Sequence, residues 1–422
     1  MPSRRDFLKA SFILPMARSA SLRQQSSGLR VVVVGAGAFG GWTAHELARR
    51  GARVVLVDAW GPGNARASSG GETRVIRATY GTRTTYTKMA KRALALWQQY
   101  EERWQRRFFH KTGAMWLFGE DTRAGQASAA FGRASADALR AEGLPFEELT
   151  PVEARRRFPQ VNFDGVASVL IEREAGYLLA RRACEHVVDR ATAEGVEYRQ
   201  ASAATPVRID GASLQSLMLT DGTMLRADAF VFACGPWLGS IFPDVVGTLI
   251  TPTRQEVFYF GTPAGDARFL EAHLPVWIDY GQRLVYGIPG NANRGFKVAD
   301  DTAGPRFDPT NGQREATDAG VTRARAFIAR RFPALAAAPL VGTEVCQYEA
   351  SPDSNYVIDR HPRAPNVWIA GGGSGHGFKM GPAIGELVAS LVLGESQPDP
   401  FFGLARFAPT KRSRKNDQDK WS

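Results

Sequence analysis

The sequence predicts an α/β chain of two interleaved domains, one built on a parallel, doubly wound sheet and one on an antiparallel sheet. Three observations carry that prediction. A glycine turn joins a buried strand to a helix near residue 35, and a second glycine-rich strand–helix junction lies near residue 373. Between them, the stretch 251–300 alternates apolar and polar residues. Alternation marks strands with one wet face, whereas continuous apolar runs beside glycine turns mark strands covered on both faces.

The first unit runs from Leu29 to Asp58. Val31, Val32, Val33 and Val34 form a buried strand, too short to span a membrane. Gly35, Gly37 and Gly40 follow at G-x-G-x-x-G spacing, a helical pattern of Trp42, Ala44, Leu47 and Ala48 runs to Gly51, and a second strand (Val54–Val57) delivers Asp58. The first glycine makes the tight turn, the second admits a pyrophosphate to the backbone, and the third lets helix and strand pack closely. Free N–H groups at the helix start would hold the pyrophosphate, and Asp58 a ribose hydroxyl. The complete strand–turn–helix–strand–acid unit makes a Rossmann-like dinucleotide site the reading of this stretch.

Further along, a glycine- and serine-rich loop (61–71) is built to wrap a ligand rather than to form a core. Ala93, Trp97, Tyr100 and Trp104 recur at helical spacing and read as core packing. A strand is expected at 112–118, a polar helix at 123–142 and a short helix from Pro151 to Phe158. Helix 179–194 contains Cys184, read as a buried thiol. The strand Ala229–Ala233 ends in Cys234-Gly235-Pro236-Trp237, a step at which Gly235 would pass beside a bound cofactor. After the alternating stretch, 313–331 reads as a helix covering that sheet. The strand Val367–Ala370 then leads through Gly371–Gly377 into a helix from about Met380 to Leu393. The expected division is a leader at 1–28, a nucleotide domain at 29–110, 165–250 and 340–395, a substrate domain at 111–164 and 251–339, and a basic tail at 396–422.

Charge excludes one class of partner. Of the net +11, residues 1–30 carry +5 and residues 406–422 carry +4, leaving +2 for the body, so no electrostatic case for nucleic acid exists there. The start reads Ser3-Arg4-Arg5-Asp6-Phe7-Leu8-Lys9 and then a modest apolar run, resembling a twin-arginine export signal. Export to the periplasm, with the protein already folded around its cofactor, is the expectation. No other segment suits a membrane span. The three cysteines and six histidines show neither a disulfide framework nor a metal-ligand spacing.

Two glycine junctions more than 300 residues apart favour FAD over an exchangeable nicotinamide. One junction holds the adenine-side pyrophosphate, and the other aims a helix N-terminus at the isoalloxazine, stabilising its reduced anion.

The order of motifs resembles the monomeric sarcosine oxidase and N-methyltryptophan oxidase group within the D-amino-acid-oxidase-like flavoproteins. The resemblance covers Arg30 to Leu393. It rests on Gly71-Glu72-Thr73-Arg74-Val75-Ile76-Arg77 with Tyr80-Gly81, Tyr286-Gly287-Ile288-Pro289, Gly295-Phe296-Lys297, Glu344-Val345-Cys346-Gln347-Tyr348 and Ser374-Gly375-His376-Gly377-Phe378-Lys379. It implies that FAD is bonded through the sulfur of Cys346 to a ring methyl, and that Gly375, His376 and Gly377 contact the cofactor. It implies that Arg77 and Lys379 grip a substrate carboxylate, through a bidentate fork and a second positive charge. Arg74 corresponds to the cation beside the flavin ring, and Lys297 to the lysine on the face where oxygen is reduced. Tyr286, Tyr348 and Trp277 correspond to pocket residues.

Two positions depart from the family pattern. The pocket histidine downstream of the lysine is Asp301, and the paired histidines before the arginine motif are Ser69-Gly70. An acid beside the amine changes its protonation and the side chains accepted, so a larger or cationic N-substituted amino acid is expected to be preferred over sarcosine. The implied activity is oxidation of the C–N bond of an N-alkyl or cyclic α-amino acid to an imine by a monomer, with O₂ reduced to H₂O₂. A dehydrogenase passing electrons to a quinone or carrier, and a non-catalytic FAD-binding protein, are the alternatives.

Overall fold

The computed structural model describes residues 28–119, 123–281 and 283–408; the expected export leader and the end of the basic tail lie outside them. A six-stranded sheet forms the nucleotide half, in the order Val357–His361, Ala364–Gly371, Ala229–Phe232, Arg30–Val34, Arg53–Asp58, Glu197–Gln200. All its pairings are parallel except that of the edge strand Val357–His361. Valines in Arg30–Val34 bury on both faces: Val31 and Val33 join the core under helices Ala38–Arg49 and Gly381–Val392, and Val32 and Val34 one formed with the two-stranded sheet Ser216–Met218/Met224–Arg226 and the short helices Leu238–Ile241 and Pro243–Val246. Chain order reverses around this central strand, so a crevice opens past its carboxyl end.

An eight-stranded sheet forms the other half: Leu340–Ala350, Thr251–Phe260, Phe296–Asp300, Leu284–Ile288, Val276–Tyr280, Ala114–Gly119, Val166–Glu172, Phe146–Leu149. It is antiparallel but for Val276–Tyr280, which runs parallel to Ala114–Gly119. Two expected domain boundaries shift here. Val166–Glu172 and Leu340–Ala350 hydrogen-bond into this sheet, not into the nucleotide sheet. The run Val169-Leu170-Ile171 is apolar throughout because its strand is covered on both faces. Leu170 and Trp116 face the core shared with the nucleotide half, while Val169, Ile171, Met115 and Leu117 face a second core.

The expected aromatic stripe lies on helix Thr84–Trp104, where Ala93, Trp97 and Tyr100 are buried as core. Cys184 is buried on helix Ala180–Ala193, as expected. The covering helix starts at Asp318 rather than 313, because the Thr317 hydroxyl accepts from Gly320 N at 3.0 Å and caps it there. Among the described residues no helix is long and apolar enough to cross a membrane, and no cluster of metal-ligating side chains forms.

Candidate active site

The crevice at the switch point is walled by Gly35, Gly37, Asp58, Ser69, Arg74, Gly235, Tyr348, Gly375 and Gly377, gathered from both glycine junctions and the eight-stranded sheet. Gly35 takes φ +104°, and a Cβ on Gly40 would stand 1.8 Å from the Gly35 carbonyl oxygen, so Gly40 acts through close packing and not as a wall. Helix Ala38–Arg49 begins at Gly37 with no side-chain cap of its own; the Ser69 hydroxyl accepts from Ala38 N at 3.2 Å. Asp58 sits at the end of its strand and accepts from Ala36 N (2.7 Å), Trp60 N (2.9 Å) and Gly61 N (2.8 Å). Burial raises its pKa, against the pull of those three donors.

Strand Leu340–Ala350 presents Cys346 and Tyr348 on one face. The Cys346 sulfur accepts from Arg74 Nη2 at 3.1 Å. The Tyr348 hydroxyl donates to Asp301 Oδ1 at 2.7 Å. Burial pushes Asp301 up to about 6, opposed by that hydrogen bond and by the charges of Arg77 and Lys379. Burial, with Asp301 next, pushes Tyr286 up to about 12. The expected set Arg74, Cys346, Tyr286, Tyr348, Asp301, Arg77 and Lys379 is thereby one electrostatic neighbourhood.

Its cations share an unusual arrangement. Lys297 is 1% exposed and donates to the Thr73 carbonyl at 2.9 Å. Lys379 is 5% exposed and donates to the His376 carbonyl at 2.8 Å. Arg74 donates to the Thr73 and Ser68 carbonyls at 2.9 and 2.6 Å, and Arg77 to the Thr79 carbonyl. None of the four forms an ion pair among the described residues. Burial, then Arg74, lowers Lys297 to about 7, and burial, then Arg77, brings Lys379 well below its usual value.

Two expected site residues are corrected. Trp277 does not reach the pocket: it is fully buried against Phe296, Phe327 and Phe332 in the second core. Ile278 pairs with Tyr286, so the two-residue period sends Trp277 to the opposite face. His376 lies off the crevice wall. Its ring stacks on Tyr356, with Nδ1 2.9 Å from the Tyr356 hydroxyl and Nε2 2.9 Å from the Ser354 carbonyl. Burial holds it well below its usual pKa, so it anchors the glycine loop as a neutral ring.

Glu349 is a wall residue that sequence reasoning missed. Its carboxylate accepts from Gly372 N at 3.2 Å, and burial lifts it to about 7. The signal was present: alternation along Val345, Gln347 and Glu349 places an acid on the buried side of the strand.

Residues 30–391 match the family described as DAO, FAD dependent oxidoreductase. The chain belongs to that family. It is 31% identical over 374 residues to a monomeric sarcosine oxidase of Streptomyces avermitilis, covering 86% of this chain and 93% of that one. It is 26% identical over 388 residues to an N-methyl-L-tryptophan oxidase of Yersinia pestis, covering 89% and 99%. In fold it superposes on the L-proline dehydrogenase of P. horikoshii with a TM-score of 0.77 over 90% and 98% of the two chains, at 22% identity. The protein is thus an FAD-dependent oxidoreductase. Its residues fit the cofactor: glycines of both junctions line the crevice, and the start of helix Ala38–Arg49 and the Asp58 carboxylate stand where a dinucleotide needs them.

Proposed function

We propose that this flavoprotein oxidises the C–N bond of N-alkyl or cyclic α-amino acids, giving an imine that water hydrolyses, with O₂ reduced to H₂O₂. One observation carries the reading: the buried Lys297 and Lys379 and the half-buried Arg74 and Arg77 have no ion-pair partner among the described residues and lean on neutral carbonyls. Such charges are costly without an anion to pair with, and a substrate carboxylate supplies it. Bound FAD supplies the two-electron oxidation of the carbon next to nitrogen.

The protein's share is binding and charge. Arg77 and Lys379 orient the carboxylate, Arg's fork fixing the plane and Lys379 adding a point charge. Asp301, ionised above about pH 6, accepts from a protonated amine or a cationic side chain, which favours substrates larger and more basic than sarcosine. Lys297 keeps a proton below about pH 7 and in that form stabilises charge developing on oxygen.

Arg74 against Cys346 supports a covalent tether, since a cation at a sulfur is the setting a nucleophilic cysteine needs. With FAD bound, Cys346 would hold it by exchanging an S–H and a methyl C–H for an S–C bond, a two-electron oxidation for which O₂ would be the terminal acceptor. Acid-precipitated protein should stay yellow, and Cys346→Ser should release the colour. The twin-arginine start supports export, which subcellular fractionation of the wild type and an Arg4→Lys/Arg5→Lys variant tests.

The deciding experiment is anaerobic mixing with N-methyl, cyclic and basic N-substituted amino acids, then admission of air. Bleaching followed by recovery within seconds and stoichiometric peroxide is expected. Recovery over minutes would point to a carrier-linked dehydrogenase, and no bleaching by any of them would end the enzymatic reading.

A further inference from the structure

Behind the cationic pair lies a buried anion with no assigned role. Glu172, at the end of strand Val166–Glu172, is 4% exposed. Its carboxylate accepts from Ala78 N at 2.6 Å, from Thr79 N at 3.3 Å, from the Thr79 hydroxyl, and from Trp116 Nε1 at 3.0 Å. Arg77 closes the circuit. It donates to the Thr79 carbonyl, and its guanidinium lies 5.0 Å from the Trp116 ring centroid and 4.3 Å from that of Tyr80. Of these three groups around Arg77, Thr79 and Trp116 are held in turn by Glu172.

We propose that Glu172 is a positioning residue that sets the carboxylate affinity of the Arg77–Lys379 pair, pinning the 78–79 backbone and Trp116 so that the guanidinium fork faces the pocket. The inference rests on the reading of Arg77 and Lys379 as the carboxylate grip. Geometry explains why the anion stands one residue back. A carboxylate bonded directly to Arg77 would occupy the donors a substrate needs. Glu172 spends its lone pairs on neutral N–H and O–H groups, so its negative charge acts through space on Lys379 while Arg77 keeps donors for the ligand. Four donors around one carboxylate also hold it rigidly, and rigid support behind a binding residue determines how well that residue is aimed.

The test compares two probes on the holoenzyme, tetrahydrofuran-2-carboxylate and its primary amide, with dissociation constants read from the flavin difference spectrum. Glu172→Gln should lose about tenfold or more in carboxylate affinity, because its amide N–H₂ meets donors on all sides, while amide affinity stays within about twofold. Thr79→Val and Trp116→Phe each remove one bond and should lose a few-fold, for the carboxylate only. Unchanged carboxylate affinity in Glu172→Gln, or an equal loss for both probes, overturns the proposal. If Glu172→Gln does not fold, wild-type carboxylate affinity in both milder variants overturns it instead. Arg77→Ala separates the two levels. If it too binds the carboxylate normally, the grip itself is wrongly assigned; if it alone loses affinity, only the role of Glu172 fails.

Discussion

Charge is buried in two regions of this molecule, and the two treat it in opposite ways. In the scaffold, Arg331 and Asp279 meet at 2.8 Å with side chains 3% and 5% exposed. Under the nucleotide helix, Glu46 is fully buried and takes Arg49 at 2.9 Å, Arg50 at 3.5 Å and the Tyr100 hydroxyl. Each of these two carboxylates has its counter-charge in contact. Around the crevice, Arg74 on its wall and Arg77, Lys297 and Lys379 in the same electrostatic neighbourhood lean on carbonyl oxygens. The difference teaches where the ligand's charge belongs: a region that neutralises itself needs nothing, and one that does not is shaped for an anion.

The contrast can be broken most directly by removing one charge from each region. Asp279→Ala strands Arg331 in the core and should cost about 3–5 kcal/mol in a denaturant melt, leaving the flavin spectrum of the folded fraction unchanged. Lys297→Met removes an already uncompensated cation, so stability should hold or rise. Its cost should appear in stopped-flow re-oxidation by O₂, slowed about a hundred- to a thousand-fold, with anaerobic bleaching retained. A stability loss for Lys297→Met as large as that for Asp279→Ala would erase the distinction between the regions.

Proton linkage sharpens it further. Asp301 has its pKa raised from 3.8 to about 6, so its proton is favoured in the folded state and folding stability falls as pH rises across that window. Asp301→Asn should therefore stabilise the protein at neutral pH by of the order of 1 kcal/mol, the gain vanishing below about pH 4. The same variant should bind basic substrates more weakly, and the wild type should lose them as pH falls through about 6. Glu46 runs the other way. Arg49 and Tyr100 hold its carboxyl below the usual 4.5 despite burial, so its contribution is present above that value and lost as acid protonates it. Glu46→Gln should flatten the acid limb of the stability profile, the smallest of these effects, read from melting temperature against pH.

Much of this was legible in the chain. Elements with a strong period or a glycine turn, such as Arg30–Val34, Ala38–Arg49 and Asp318–Arg331, lie within a few residues of expectation. Where a residue's face mattered, short-range pattern was not enough. Trp277 and Ile278 are both apolar, and only pairing with Tyr286 says which of them joins the core on the Tyr286 side and which the opposite one. The boundary expected at 165 misplaced Val166–Glu172, since burial on both sides of the strand erases alternation whatever sheet supplies the cover. Glu349 could be placed on the buried side of its strand by alternation, but Glu172 carries no local signal of its destination, since an acid at a strand end becomes a site residue only through the segments that close over it.

The sequence by itself determined the family, the two glycine junctions and the residue types the chemistry uses, because turn geometry and side-chain chemistry are local properties. Tertiary structure alone decided which charges are paired and which are left to a ligand. That depends on groups far apart in the chain meeting within hydrogen-bond distance, as Thr73 and Lys297 do across 224 residues and Ala78 and Glu172 across 94.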